Sequence, residues 1–504
     1  MFRHARTVVR FFAKKKKKPK RSDYRAVVGL EVHAQLLTER KAFCKCLNCS
    51  DGAPNAHTCG VCLGEPGSLP VANPEMVALG AVAAVALRCE SVADVVTWDR
   101  KSYFYPDLPK GFQITQKRSP LAVGGSVEIL GDADARGGGE KVAIGVESAH
   151  LEEDSAKLSY KKGGDAFDVD FNRSGCALVE IVSKPELRSG EEAARYAREL
   201  QRTLQRVGAS DGDMAAGSFR VDVNVSVAKD GDVALREKVE IKNLNSFKAV
   251  RGAVDHEVER QSRAYDAGDA VLPETRSWDG KKTAVLRVKG GAEAYRFAPE
   301  PDLPPRPFSE FDRPDAAVVL AATPPAARAA LEALGASPAQ ARALVDADAD
   351  GAAAAFFEAA VALGAPADAA ATWLSGEVAG AADKLGLATY GHLAPRDLAD
   401  LLVLMGDGSL GRRAAKDLLP ALLGAPHGSV RAEVADRDLG QIADAAALDA
   451  FVADVLAAHP DELAKFAAGA GQLRKLFLGK AMAASRGRAD PAGLNAALDR
   501  ALPR

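Results

Sequence analysis

The stretch Val27–Gln35 reads VVGLEVHAQ, an apolar, β-branched run broken at every second position by Glu31, His33 and Gln35. A strand's side-chain period of two places those three residues on one face and Leu30, Val32 and Ala34 on the other. Alternating Val142, Ile144 and Val146 predict a second strand running into HLEED, where Glu152, Glu153 and Asp154 have the composition of a solvated acidic turn. A third strand, ALVEIV, carries the single acid Glu180. In FRVDVNVSV, Phe219, Val221, Val223, Val225 and Val227 alternate with Arg220, Asp222, Asn224 and Ser226, giving one core face and one polar face. Helical signals fall between these runs. Pro74 opens a small-residue helix reaching toward Cys89, and Ser189–Gly208 has a serine cap, acids in its first turn and a terminal glycine. A further helix covers Lys248 to about Arg263, and ETRSWDGKKTAVLRVK reads as a hairpin turning at Asp279-Gly280.

After the proline-rich Ala298–Pro307 the composition turns to alanine, and apolar residues recur only at helical spacing: Pro324–Leu334, Pro338–Asp346, Ala352–Leu363 and Ala367–Leu374. A further set of short helices begins near His392. The C-terminal stretch groups Arg474, Lys475, Lys480, Arg486 and Arg488.

The chain of 504 residues is 47% hydrophobic and 27% charged, ordinary values for globular domains with buried cores. A formal charge of −2 excludes a globally basic surface, so contact with nucleic acid must come from local patches. No apolar run approaches membrane-spanning length, and no membrane association is expected. Residues 1–22 are rich in Arg and Lys and lack acids, the composition of an organelle transit peptide. The mitochondrial matrix is the first expectation and the chloroplast stroma the second.

Candidate chemistry sits on this scaffold. Glu31 and His33, side by side on a strand, are ligand types for a divalent cation. Glu180 is informative because charging a carboxylate inside a buried strand is costly unless a cation or strong donors meet it. Cys44, Cys46, Cys59 and Cys62 form a CxC and a CxxC knuckle suited to tetrahedral zinc, with Cys49 and His57 as spare donors. Cys89 and Cys176 are expected in the core. The segment Thr97–Gln116 mixes Arg100, Lys101 and Lys110 with Tyr103, Phe104 and Tyr105, cations for phosphate and rings for a base or sugar. Asn172 and Arg173 before a glycine have the character of phosphate-facing groups, and the polar face bearing Arg220, Asp222 and Asn224 suits a nucleotide cleft.

GLEVHAQL, the two cysteine knuckles, RKSYFYPDLPKGFQITQ, HLEED, DFNRSG, LVEIVSKPEL, GSFRVDVNVSV, EIKNLNSF, ETRSWD and YRFAPEPDLPP occur in this order over about Ala26 to Pro305. Together they resemble the GatB family, the B subunits of the aspartyl/glutamyl-tRNA amidotransferases. The resemblance implies an α+β catalytic cradle of the glutamine-synthetase/guanido-kinase type at 23–300 with a zinc-binding insertion at 44–62. It further implies a helical linker domain at 301–391 and a YqeY-like helical tail at 392–504 that contacts tRNA. The implied enzyme is a carbon-nitrogen ligase with glutamine as amido donor. It would phosphorylate the side-chain carboxylate of Glu-tRNA(Gln) or Asp-tRNA(Asn) with ATP before ammonia displaces the phosphate. A GatA-type amidase and a small GatC-type subunit are the implied partners, with Mg²⁺ as catalytic cation and zinc as a structural staple.

By motif, the resemblance gives Glu31, His33, Glu153 and Glu180 as catalytic Mg²⁺ ligands. Lys101, Asn172, Arg173, Arg220 and Asn224 are then expected to bind ATP and its phosphates. Ala177, Lys184, Val221, Val223 and Ala298 depart from the family's usual residues, which touches local packing rather than the candidate ligands. The alternatives are a zinc-containing RNA-binding module without catalysis and another ATP-dependent carboxylate ligase.

Overall fold

The computed structural model describes residues 23–161, 166–229, 231–232, 235–288, 295–347, 350–387 and 390–503. The expected transit segment 1–22 lies outside the described residues. The chain divides into two compact units, Met1–Gln201 with Ala209–Arg313, and Arg202–Gly208 with Pro314–Arg504.

The first unit is built on a ten-stranded sheet. Its strands include β1 (Tyr24–Gln35), β4 (Lys141–Glu153), β5 (Ala177–Ser183), β6 (Phe219–Lys229), β7 (Val239–Leu244), β8 (Glu274–Trp278) and β9 (Thr283–Val288). The order across the sheet is β9-β8-β7-β6-β1-β5-β4, continued by Ala122–Val123 and Ser91–Val92, while Ser126–Leu130 also pairs with β4. Every pairing is antiparallel except β7 with β8. A separate three-stranded sheet joins β2 (Asp99–Ser102), β3 (Phe112–Thr115) and β10 (Arg296–Pro299) in the order β10-β2-β3.

The two faces of the large sheet differ as the alternation predicts. Leu30, Val32, Ala34, Leu151, Val179, Ile181, Val221 and Val223 are all buried on one face. Helices α1 (Pro74–Ala86) and α3 (Phe247–Ala267) lie against this face. Gly80 permits the close packing of α1, since a Cβ there would stand 2.7 Å from Leu121 Cδ2 and from Leu151 Cδ2. Burial of such branched side chains stabilises the unit by about 1.5–3 kcal/mol each. Helix α2 (Gly190–Arg206) begins where Ser189 Oγ accepts from Glu192 N, so the anticipated serine cap forms. The hairpin at Asp279-Gly280 also forms, with Asp279 Oδ1 accepting from the amides of Lys281 and Lys282. The other face of the sheet carries the polar members of each alternation and holds the candidate site.

One expectation fails here. The acidic run after His150 is the buried end of β4, with Glu152, Glu153 and Asp154 all buried. The run is not a solvated turn because the neighbouring strands and loop supply donors to each carboxylate.

The second unit is helical, and among the described residues no strand follows Pro307. Helices at Pro324–Ala333, Pro338–Asp346, Ala352–Ala362 and Ala367–Thr372 match the spacing read from sequence. One hydrophobic cluster runs from Ala327 to Val434 and another from Leu448 to Leu502. The expected boundary at 391/392 therefore crosses a continuous core: Leu393, Leu398, Leu401 and Leu402 pack in the same cluster as Leu331, Phe357 and Trp373. A composition change marks where helices begin, whereas a domain boundary requires a gap in side-chain packing.

Candidate active site

Strand register assembles the site. His33 lies across from Glu180 on β5 and from Arg220 on β6, and Glu180 lies across from His150 on β4. One row of side chains therefore crosses four strands: His150, Glu180, His33, Arg220. Glu152, two residues beyond His150, shares this face.

His33 Nε2 is 3.5 Å from Glu152 Oε1 and 3.8 Å from Glu180 Oε2, and His150 Nδ1 is 3.9 Å from Glu180 Oε2. One ligand atom each from His33, Glu152 and Glu180 lies within 4.8 Å of the others. The Glu152 side chain is 2% exposed and the Glu180 side chain 17%, so the cluster opens through Glu180 and His33. Burial, and then the charge of Glu180, pushes the Glu152 carboxyl up to about 7. Burial opposes ionisation of Glu180 too, but a hydrogen bond from His150 and the two imidazoles bring it well below the usual carboxylate range. Two close carboxylates, with imidazoles and the fields of Lys101 and Arg220 as counter-charge, have the donor set of a divalent-cation site.

The four expected cation ligands do not all converge. His33 and Glu180 do. Glu31 shares the face but stands one pleat away, its Oε1 accepting from Asn224 Nδ2 at 2.8 Å. Glu153 projects from the opposite face of β4, where its Oε1 accepts from Lys110 Nζ and from Ile114 N. The structure thus puts Glu152 where Glu153 was expected, because adjacent residues of a strand cannot share a face.

The phosphate candidates also separate. Lys101 stays beside the cluster, its Nζ 4.9 Å from the Tyr295 ring centroid and 6.0 Å from that of Tyr103. Arg220 holds Asp154 Oδ2 at 2.8 Å. Arg173 is turned to the chain after β4, donating to the carbonyls of Ser155 and Ala156. Asn172 is fully buried, accepting from His57 N at 2.8 Å and donating to Ala53 O at 2.8 Å. Both residues are taken up by neighbouring groups: Asn172 clamps backbone, and Arg173 also stands 3.6 Å from Asp154. Arg100 and Lys110 are likewise occupied, Arg100 by Glu300 and Asp302 and Lys110 by Glu153.

Sequence reasoning passed over Glu152, His150 and Lys242. Lys242 bridges Asp222 Oδ2 at 3.3 Å and Glu240 Oε1 at 2.9 Å on the same polar face. The signal for Glu152 is a change of phase in β4. Val146 and Ala149 both pack on the apolar face, because the register shifts beside Val182/Ser183 so that Ser148 pairs with Val182 and Val146 with Ser183. Such a bulge reverses which residues of the following stretch face the site.

Behind the sheet, Cys44, Cys46, Cys59 and Cys62 bring their sulfurs within 4.8 Å of one another, with Cys59 and Cys62 Sγ 3.9 Å apart. Tetrahedral zinc thiolates have sulfurs about 3.8 Å apart, so the donor set and spacing fit zinc. Cys49 is turned away, its Sγ accepting from Asp51 N, and His57 is not in the cluster. A hydrogen bond from Cys44 brings the Cys62 thiol down to about 5, and burial pushes Cys46 up to about 11. The fully buried Lys41 ties this module to the sheet, its Nζ donating to the carbonyls of His57, Phe171 and Ser174. Gly175 takes φ +83°, a left-handed conformation suited to glycine, where the chain passes beside Cys62 and Lys41. Cys176 is buried as expected, whereas Cys89 is only partly so.

Residues 26–311 match the family model described as the GatB/GatE catalytic domain, and 355–502 match the GatB domain. The B subunit of the aspartyl/glutamyl-tRNA(Asn/Gln) amidotransferase of Thermosynechococcus vestitus is 43% identical over 477 residues, covering 93% of this chain and 94% of that protein. The protein of the same name from Synechococcus elongatus is 43% identical over 496 residues, covering 96% and 99%. The B-1 subunit of the chloroplastic/mitochondrial glutamyl-tRNA(Gln) amidotransferase of Micromonas pusilla is 40% identical over 501 residues, covering 95% and 91%.

Proposed function

Because this chain belongs to the GatB family of tRNA-dependent amidotransferase subunits, we propose that it activates the side-chain carboxylate of a mischarged Glu-tRNA(Gln) or Asp-tRNA(Asn) by ATP-dependent phosphorylation. The observation that carries this reading is the convergence of His33, Glu152 and Glu180 on the open polar face.

A free carboxylate resists ammonia because oxide is a poor leaving group, and phosphorylation replaces it with phosphate. Bringing the carboxylate to a nucleoside triphosphate sets anion against anion. Mg²⁺ held by Glu152, Glu180 and His33 would supply the charge that offsets this repulsion. The protein's own part is positional. His150 and His33 fix the Glu180 carboxylate, and Lys101 presents positive charge along the same face for phosphate oxygens, while Arg220 is held by Asp154. The Glu31–Asn224 pair lies one pleat further along. Ammonia comes from a GatA-type amidase held with a GatC-type subunit, and the cysteine cluster holds structural zinc. The Micromonas relative, named as chloroplastic/mitochondrial, supports an organellar location, which the basic leader places in the mitochondrial matrix or else the chloroplast stroma.

Radiolabelled ATP with the reconstituted complex tests the reading. Phosphate release that requires mischarged tRNA supports it. Release with a free amino acid points to another carboxylate ligase, and tRNA binding with no release at all points to a non-catalytic RNA-binding module.

A further inference from the structure

Four exposed aromatic side chains lie on the loop after Tyr103 and on the hairpin that this loop packs against. Phe104 is 95% exposed, Tyr105 54%, Tyr160 62% and Phe167 39%. Tyr160 and Phe167 face each other across the small hairpin Lys157–Tyr160/Phe167–Asp170, ring centroids 5.8 Å apart. Tyr105 is hydrogen-bonded to Tyr160. The backbone bond from Ala156 N to Asp107 O fixes the loop bearing Phe104 and Tyr105 against that hairpin.

Cations border these rings, and the rings connect to the catalytic cluster. Arg287 acts electrostatically on Tyr105 and donates to the Tyr295 hydroxyl at 3.5 Å, while Lys157 is exposed on the hairpin and Lys161 pairs with Asp168 at 3.1 Å. Tyr103 links ledge to site: it feels the charge of Glu152, and its ring stands 5.5 Å from that of Tyr295, over which Lys101 lies. Exposed rings interleaved with Arg and Lys are the composition of a surface that stacks unpaired bases while its cations track the phosphates.

We propose that Phe104, Tyr105, Tyr160 and Phe167 form a stacking ledge for the single-stranded 3′ end of the aminoacyl-tRNA, guiding the esterified amino acid to His33, Glu152 and Glu180. The proposal rests on the function given above. Its occupant follows from continuity: the carboxylate to be activated is tethered to a terminal nucleotide, so unpaired nucleotides must lie immediately outside the cluster. Arg287, Lys157 and Lys101 supply cations for their phosphates.

The test compares the wild-type complex with Phe104→Ala/Tyr160→Ala, using intact mischarged tRNA and the same tRNA trimmed of its unpaired 3′ nucleotides. The double variant is expected to raise KM for intact tRNA about ten-fold or more with kcat within two-fold. Trimmed tRNA is expected to bind wild type and variant equally, and Phe104→Trp/Tyr160→Phe to restore KM. An unchanged KM overturns the ledge. So does loss of the amidase partner from the variant on gel filtration, which would make this surface a protein interface. A wild-type complex whose affinity depends on the rings and on the intact 3′ end, but which releases no phosphate, would leave the ledge standing and overturn the catalytic reading instead.

Discussion

His33 stands directly across from Glu180 in the sheet, with Nε2 3.8 Å from Oε2, and His150 approaches the same carboxylate from the next strand at 3.9 Å. An acid bracketed by two imidazoles keeps its charge, while burial and the charge of Glu180 raise the Glu152 carboxyl. The division of labour between the two glutamates leads to the first two predictions.

Glu152→Gln is expected to weaken divalent-cation binding by ten-fold or more and to reduce tRNA-dependent phosphate release at least a hundred-fold. Glu153→Gln acts elsewhere: it leaves the buried Lys110 ammonium without its counter-charge, at a cost of about 3 kcal/mol in stability. Manganese titration followed by calorimetry, together with urea unfolding, separates the two. A Glu153→Gln protein of unchanged stability that has lost the cation would reverse the assignment.

In the metal-free protein Glu152 titrates near 7 against an ordinary 4.5. The folded state therefore binds one more proton than the unfolded state between those values, and this group's contribution makes stability fall as pH rises from about 4.5 to 7. Glu180, held below its ordinary value, acts in the opposite sense: its contribution is present above 4.5 and is lost at lower pH. A cation at the site must displace the Glu152 proton, so apparent cation affinity is expected to rise by up to ten-fold per pH unit below 7 and to level off above it. Calorimetric titrations from pH 5.5 to 8 check the slope, and a flat profile contradicts it.

Metal analysis of the purified chain is expected to find one zinc lost in Cys44→Ser or Cys62→Ser and retained in Cys49→Ser. Loss of the metal should also expose the 41–73 segment to limited proteolysis, because the thiolates are its shared anchor.

Asn172→Ala is expected to cost about 1–3 kcal/mol, since it leaves the His57 amide and the Ala53 carbonyl without their partner, while the KM for ATP stays within two-fold. Steady-state kinetics with denaturant unfolding measure both. A large rise in the KM for ATP would return Asn172 to the phosphate site.

Much of this was legible in the chain. Period-two alternation located β1, β5 and β6 and which side chains of each face the site, and capping residues located the helices, because those signals are local. The choice between Glu152 and Glu153 was not, because it depends on a bulge that appears only once β4 is registered against β5. Asn172 was misread because its partners, Ala53 and His57, are backbone atoms with no signature in sequence, and Arg173 because it is taken up by the Ser155 and Ala156 carbonyls and the Asp154 carboxylate. Phe104 and Tyr105 were read from sequence as rings for a base or sugar, whereas their junction with Tyr160 and Phe167 shows only in the fold.

The bulge in β4 has a genetic corollary. Single substitutions there act one side chain at a time, but deleting one codon between Val146 and His150 would exchange the roles of every later residue in the strand, burying His150 and Glu152 against the helices and turning Leu151 and Glu153 outward. This short tract should tolerate changes of spelling far better than changes of length.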